Sequence, residues 1–147
     1  MQSQQSQPQQ QQQNGLQEQF VEKYISDMKN AIKLFEGEDN TFMQTANTMA
    51  VMIRAAYAQK NGMSQADKTQ FKQMRDMASK QIDDYRTNRI QSKNGLKQDY
   101  QTMLDKVGPN CRIGQEITIT IKEIDNQNDR MNQFCQGMVN EYKSMVV

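Results

Sequence analysis

A heptad stripe near the C-terminus constrains the fold of this chain more than any other feature. Between Ile113 and Val147, apolar side chains return at alternating steps of three and four residues, with one polar interruption at Asn128. Such a stripe, kept over about four heptads, predicts one long amphipathic helix that packs along a seam. The residues of this seam are Ile117, Ile121, Ile124, Asn128, Met131, Cys135, Met138, Tyr142 and Met145.

Residues 117–121 read Ile-Thr-Ile-Thr-Ile, and their period-two alternation of β-branched side chains also fits a strand. We favour a helix, because the chain offers no second strand candidate and an isolated strand is not stable. Ile119 then falls on the outer face of the predicted helix.

Residues 14–107 predict four shorter helices, because apolar residues recur there with helical period between residues that commonly start or stop helices. The predicted N-caps are Asn14, Thr41 and Ser64, and the predicted stops are Gly37, Asn61-Gly62, Asn94-Gly95 and Gly108-Pro109. The four helices span about residues 15–36, 42–60, 65–92 and 96–107. We therefore expect an all-α protein of about five helices in a helical-hairpin or bundle arrangement, with residues 14–147 forming one domain.

Residues 1–13 form a low-complexity arm with nine Gln residues and no charged residue. Such a segment cannot bury enough apolar surface to fold alone. We expect either a solvated arm or an arm that docks on a neighbouring subunit.

The composition predicts a folded protein with a thin core. Only 25 of the 147 residues are Leu, Ile, Val or Phe, although 12 Met residues supply further apolar volume and the net charge is +1. Slender helices with so little aliphatic surface complete their burial against a partner.

Several kinds of chemistry find no support in the sequence. The chain has no His, no Cys-x-x-Cys pair, no phosphate-binding loop and no nucleophile motif. Cys111 and Cys135 are separated by roughly 30 Å if the last helix is continuous, so both thiols are expected to be free. We therefore expect a non-enzymatic protein without a cofactor or a bound metal, in a reducing compartment.

The sequence predicts neither a signal peptide nor a membrane span. The N-terminus is polar, and the most apolar stretch, residues 49–58, is half the length that a membrane helix needs and includes Arg54. We expect an intracellular protein that is soluble or lies within a macromolecular assembly.

The third predicted helix carries a basic stripe on one side. Its residues are Lys68, Lys72, Arg75, Arg86, Arg89 and Lys93. Such a stripe can contact phosphates of a nucleic acid. We favour a solvated edge of the apolar face instead, because Asp76, Asp83 and Asp84 lie on the same helix and long basic side chains often border apolar surface.

The seam allows two interpretations, closure of the chain's own core or pairing with another chain. Asn128 occupies a core heptad position, where a single polar residue can set register and oligomeric state. Phe134 and Val139 broaden the apolar face, which favours packing in a bundle over a two-stranded coil. In either case we expect the Asn128 amide to be buried and hydrogen-bonded.

These observations favour a structural or interaction protein. It would be a helical subunit or accessory component of a larger assembly, such as a virus particle, a secretion device or a cytoskeletal complex, with other copies or other proteins as partners. One alternative is a nucleic-acid-associated protein that uses the basic stripe. Another is a chaperone or adaptor with Met-rich binding faces.

Overall fold

The chain folds into three long α-helices joined by two short turns. The computed structural model describes the backbone of residues 2–147 and the side chains of residues 17–147. Helix α1 spans Gln2–Ala58, α2 spans Gln65–Val107 and α3 spans Arg112–Ser144, with a short 3-10 turn at Lys60–Gly62. Short turns place successive helices antiparallel, so the three form an up-down-up bundle. Residues 2–147 contain no strand, and the predicted all-α class is confirmed.

The prediction of five helices was wrong, because two of the expected breaks do not occur. Helix α1 continues through Gly37, and α2 continues through Asn94 and Gly95. A glycine inside a helix costs only about 1 kcal/mol relative to alanine. Apolar packing continues on both sides of each site, so the tertiary contacts outweigh this cost.

Two predicted N-caps lie inside α1. The first helix was expected to begin near Gly15 with Asn14 as its cap, but α1 begins at Gln2. Thr41 does not cap a helix either, since its hydroxyl donates to the carbonyl of Gly37 at 3.1 Å within the continuous helix. For the arm of residues 1–13, a solvated arm and docking on a neighbouring subunit were both expected. The side chains of this arm lie outside the described residues, so both stay predictions.

The remaining helix ends follow the sequence signals. Ser64 and Asp67 form a reciprocal cap, in which Ser64 Oγ accepts from the Asp67 N–H at 3.1 Å and the Asp67 carboxylate accepts from the Ser64 N–H at 3.2 Å. Helix α2 ends at Val107, and Gly108 follows with a φ of 80°, a conformation that glycine adopts without strain. Cys111 caps α3, since its Sγ accepts from the Gly114 N–H at 3.4 Å.

The core consists of two apolar clusters stacked along the bundle. The cluster near the α1–α2 turn includes Ile53, Phe71 and Tyr142. The other cluster includes Met28 and Ile124. Helix α3 contributes to both, and it contacts α1 and α2 more extensively than those two helices contact each other.

The α2–α3 turn predicts opposite effects for two glycine substitutions on α3. A Cβ at Gly114 would lie 1.9 Å from the carbonyl oxygen of Gly108, whereas a Cβ at Gly137 would meet nothing within 4 Å. Gly114→Ala should therefore lower the free energy of unfolding by roughly 1–3 kcal/mol. The control Gly137→Ala should raise it by up to about 1 kcal/mol. Urea unfolding followed by circular dichroism measures both, and equal changes would contradict the tight turn.

Candidate functional site

The seam of α3 lies in the interior of the chain's own bundle. Eight of its nine residues are buried and Ile121 is half-buried, whereas Ile119 points outward with 62% of its surface exposed. The bundle therefore uses this seam for intramolecular packing, and a surface for a partner has to lie elsewhere.

A layer of polar side chains separates the two apolar clusters at the middle of the bundle. Its members are Asp39 from α1, Tyr85, Arg89, Lys93 and Asn94 from α2, and Gln127 and Asn128 from α3. Among these residues, the sequence predicted burial of a polar side chain only for Asn128. Arg89 and Lys93 were expected in a surface stripe, and no sequence pattern indicated Asp39.

The carboxylate of Asp39 is the centre of this layer. It is paired with the Lys93 ammonium group, and the Lys93 side chain is completely buried. Arg89 Nε lies 3.0 Å from Asp39 Oδ1, and the Tyr85 hydroxyl donates to the same oxygen at 3.0 Å. Burial raises the pKa of Tyr85, which keeps this donor protonated. Three partners thus replace the water that the buried carboxylate loses.

Helix α3 completes the polar layer with two amides. Asn128 Nδ2 donates to Asn94 Oδ1 at 3.1 Å, so the predicted burial and hydrogen bond of Asn128 are confirmed. Gln127 Nε2 donates to the carbonyl of Ile32 at 3.4 Å. The side-chain oxygens of both residues have no partner among the described atoms. A cavity of about 30 Å³ lies between Gln127 and Asp39, which is room for about one water molecule.

Four of the six residues of the basic stripe form hydrogen bonds or ion pairs within the bundle. Arg75 Nη1 donates to the carbonyl of Met145 at 2.6 Å, and Arg86 Nη2 donates to Asp83 at 2.9 Å. Arg89 and Lys93 belong to the polar layer. Only the remaining two stripe residues, Lys68 and Lys72, form no ion pair within the described part of the chain, so phosphate binding stays a prediction that depends mainly on them.

The outward side of α1 is an apolar surface that the sequence analysis missed. Its uncharged members, here called the α1 outer face, are Leu34, Gly37, Thr41, Thr45, Thr48, Met49 and Met52, which lie within about 120° of one another at 100° per residue. The exposed, charged Glu38 lies within the same arc. Leu34 is 64% exposed and Met52 is 58% exposed. These two residues are 18 positions apart, or five helical turns, so they point in the same direction.

The α1 outer face offers carbon rather than charge to a partner. The hydroxyls of Thr41, Thr45 and Thr48 each donate to the carbonyl four residues earlier at 3.0–3.1 Å, so these donors are already satisfied within the helix. Residues 40–53 contain no Asp, Glu, Lys or Arg. The uncharged run of residues 40–53 is the signal of the α1 outer face in the sequence. Helical periodicity of apolar residues indicates only the inward-facing side of a helix, so it does not reveal this face.

A groove of about 550 Å³ borders this face where α1 and α2 meet. It is lined by the uncharged Leu34, Gly37, Thr41, Phe42 and Tyr85 and by the charged Lys33, Glu38 and Arg89. Phe42 and Tyr85 stack in its floor with ring centroids 3.8 Å apart. The groove therefore connects the α1 outer face to the buried polar layer.

The methionines divide between the core and the surface. Met28 and Met131 are almost completely buried, as ordinary core filling requires. Met49, Met52 and Met77 are exposed on α1 and α2. Exposed methionines are adaptable contact residues, so this subset alone is available to a Met-rich binding face.

Neither a membrane helix nor a metal-binding cluster is found in the described part of the chain. No helix there is long and apolar enough to cross a membrane, and no group of three or more Cys, Asp or Glu side chains is placed to hold a metal ion. Comparison with protein families, curated proteins and solved structures gives no match to this chain. Functional argument therefore depends on the surfaces described above.

The polar layer predicts a strongly non-additive mutant cycle. Asp39→Leu strands the Lys93 charge in the core and should cost roughly 3–5 kcal/mol of unfolding free energy. Lys93→Met combined with Asp39→Leu should recover most of that loss, because no buried charge of the pair remains. Arg130→Met, which breaks the exposed pair with Glu123, is the control and should cost less than about 1 kcal/mol. Additive losses in urea unfolding would argue against a coupled pair.

The two free cysteines predict two different thiol reactivities. Cys111 is exposed, whereas burial raises the pKa of the Cys135 thiol to about 11. Because the thiolate is the reactive form, a thiol reagent at pH 8 should modify one thiol rapidly and the second only after unfolding. Cys111→Ser should abolish the fast reaction. Two fast-reacting thiols in the folded protein would contradict the burial of Cys135.

Proposed function

We propose that this protein is a non-enzymatic helical subunit or accessory component of a larger assembly, which it joins through the α1 outer face. The exposed side of the uncharged run of residues 40–53 carries this proposal, since Ala46, Ala50 and Ile53 of the same run belong to the core. Centres of protein interfaces are depleted in charged residues and enriched in methionine. Exposed helix surfaces gain solubility from charges, so the nine exposed residues of this run, none of them charged, favour a covered face.

The internal packing supports the same proposal. The seam of α3, which could either close the chain's own core or pair with another chain, packs inside the bundle. Four residues of the basic stripe form hydrogen bonds or ion pairs within the chain. A bundle whose remaining uncharged surface is one helix face is suited to be a building block. This distribution of charge favours a protein partner over a nucleic acid.

A Met-rich adaptor is the second candidate function. The exposure of Met49, Met52 and Met77 favours it, since flexible thioethers adjust to partners of different shape. A subunit of one assembly has a defined partner set, whereas an adaptor recovers many unrelated proteins. The kind of assembly, whether virus particle, secretion device or cytoskeletal complex, follows from the identity of the partners.

The proposed function predicts that a charge on the α1 outer face removes the partners of the protein. Tagged protein from its native cells should retain co-purifying proteins, quantified by mass spectrometry, and Met52→Lys should lose most of them. Ile119→Lys is the matched control, because Ile119 is equally exposed but lies on α3. Both variants should melt like the wild type, since exposed substitutions change stability little. Equal recovery with both variants would remove the α1 outer face from the proposal.

A further inference from the structure

We propose that the bundle hinges at its polar layer, where α1 opens around Gly37 and α2 opens around Gly95 while α3 stays continuous. The two apolar clusters then move as separate bodies that α3 connects. This inference goes beyond the proposed function, because it concerns the chain alone and does not depend on the partner that covers the α1 outer face.

Burial on α1 and α2 is interrupted between the two apolar clusters. Within residues 33–45 of α1, Asp39 is the only buried residue. Within residues 83–99 of α2, Lys93 is the only buried residue. Residues 124–131 of α3, by contrast, contain four buried residues. Apolar burial is therefore thin where α1 and α2 cross the polar layer, and segments of this kind have low local stability.

Each interrupted segment contains a glycine at the same distance from the charge pair. Gly37 lies two residues before Asp39, and Gly95 lies two residues after Lys93. Because α1 and α2 are antiparallel, both glycines lie on the same side of the pair, about 3 Å from it along the bundle axis at ~1.5 Å per residue. The two helices thus carry a glycine at one common level.

Packing within the chain does not require either glycine. A Cβ added at Gly37 or at Gly95 would meet nothing within 4 Å. A glycine inside a helix favours the non-helical state about fivefold relative to alanine. The two glycines therefore lower the free energy of opening at the level of the polar layer, in both helices.

Opening at this level exposes groups that water solvates. Asp39 and Lys93 lost their hydration on burial, and they regain it when the helices part. The side-chain oxygens of Gln127 and Asn128 have no partner among the described atoms, so they also gain hydrogen bonds from water. Parting the helices through an apolar cluster would expose carbon and bring no such gain. The polar layer is thus the level at which opening costs least.

The charge pair opposes sliding of α1 along α2 but permits opening. A slip would leave the charges of Asp39 and Lys93 facing apolar side chains, whereas opening transfers both charges to water. The register of the bundle is therefore kept when the hinge closes again.

Hydrogen–deuterium exchange of the full chain, measured by mass spectrometry, tests the hinge. The hinge segments are residues 33–43 and 87–97, and the reference segments are residues 46–56 and 71–82, which belong to one apolar cluster. After correction for intrinsic rates, the hinge segments should exchange at least about tenfold faster than the reference segments.

Alanine substitutions test whether the glycines set the opening. Gly37→Ala should slow exchange about fivefold in both hinge segments, because alanine favours the helix by that factor and the two helices open together. Gly95→Ala should have the same effect on both segments. The control Gly137→Ala makes the same substitution on α3, away from the polar layer, where an added Cβ also meets nothing within 4 Å. It should leave exchange in both hinge segments unchanged.

Several results would overturn the inference. Hinge segments that are as protected as the reference segments exclude local opening, and so does a failure of either alanine variant to slow their exchange. Equal slowing by Gly137→Ala shows that these amides exchange only through global unfolding. Slowing confined to the helix that carries the substitution shows that α1 and α2 open separately, which excludes a shared hinge. The proposed function is tested separately, by the recovery of co-purifying proteins.

Discussion

The buried pair of Lys93 and Asp39 fixes how α1 and α2 align, and the hydrogen bonds of Gln127 and Asn128 add α3 to the same layer. Each group has lost its water, and the pair is tolerated only because the charges meet each other and Asp39 also meets Arg89 and Tyr85. Sliding α2 by one turn would move Lys93 about 5.4 Å along the bundle and leave both charges facing apolar side chains. The apolar clusters on either side supply most of the favourable free energy, but they tolerate such slips far better than the polar layer does.

This alignment divides the surface of the protein. Because Arg89 and Lys93 turn inward to Asp39, the basic stripe loses two of its charges to the core. Arg75 then joins α2 to the C-terminal end of the chain through the Met145 carbonyl, and Arg86 pairs with Asp83 on its own helix. The exposed residues between 40 and 53 on α1 are uncharged, and the threonine hydroxyls among them donate back to the helix. An interior built around buried charge and an exterior helix face without charge are thus two consequences of one arrangement.

Local chemistry explains which helix ends were predicted correctly. Ser64 with Asp67, and Gly108 with Pro109, act through hydrogen bonds and backbone angles within a few residues, so the sequence alone indicates them. Gly37 and the Asn94-Gly95 pair were read by the same local logic and did not break their helices. The cost of a helical glycine is small, and packing from distant parts of the chain decides the outcome.

The sequence by itself determined the all-α class and the long C-terminal helix, because these follow from a periodicity that every heptad repeats. It left open whether the seam closes the chain's own core or pairs with another chain, and only the tertiary structure turned the seam inward. Only the tertiary structure decided that Asp39 and Lys93 form a pair, since the two residues lie 54 positions apart in the chain and no sequence pattern signals their contact. It also decided which face of α1 stays outside. Helix α1 has apolar residues on two sides, and the other two helices cover only one of them. Which side they cover depends on the register that the polar layer sets.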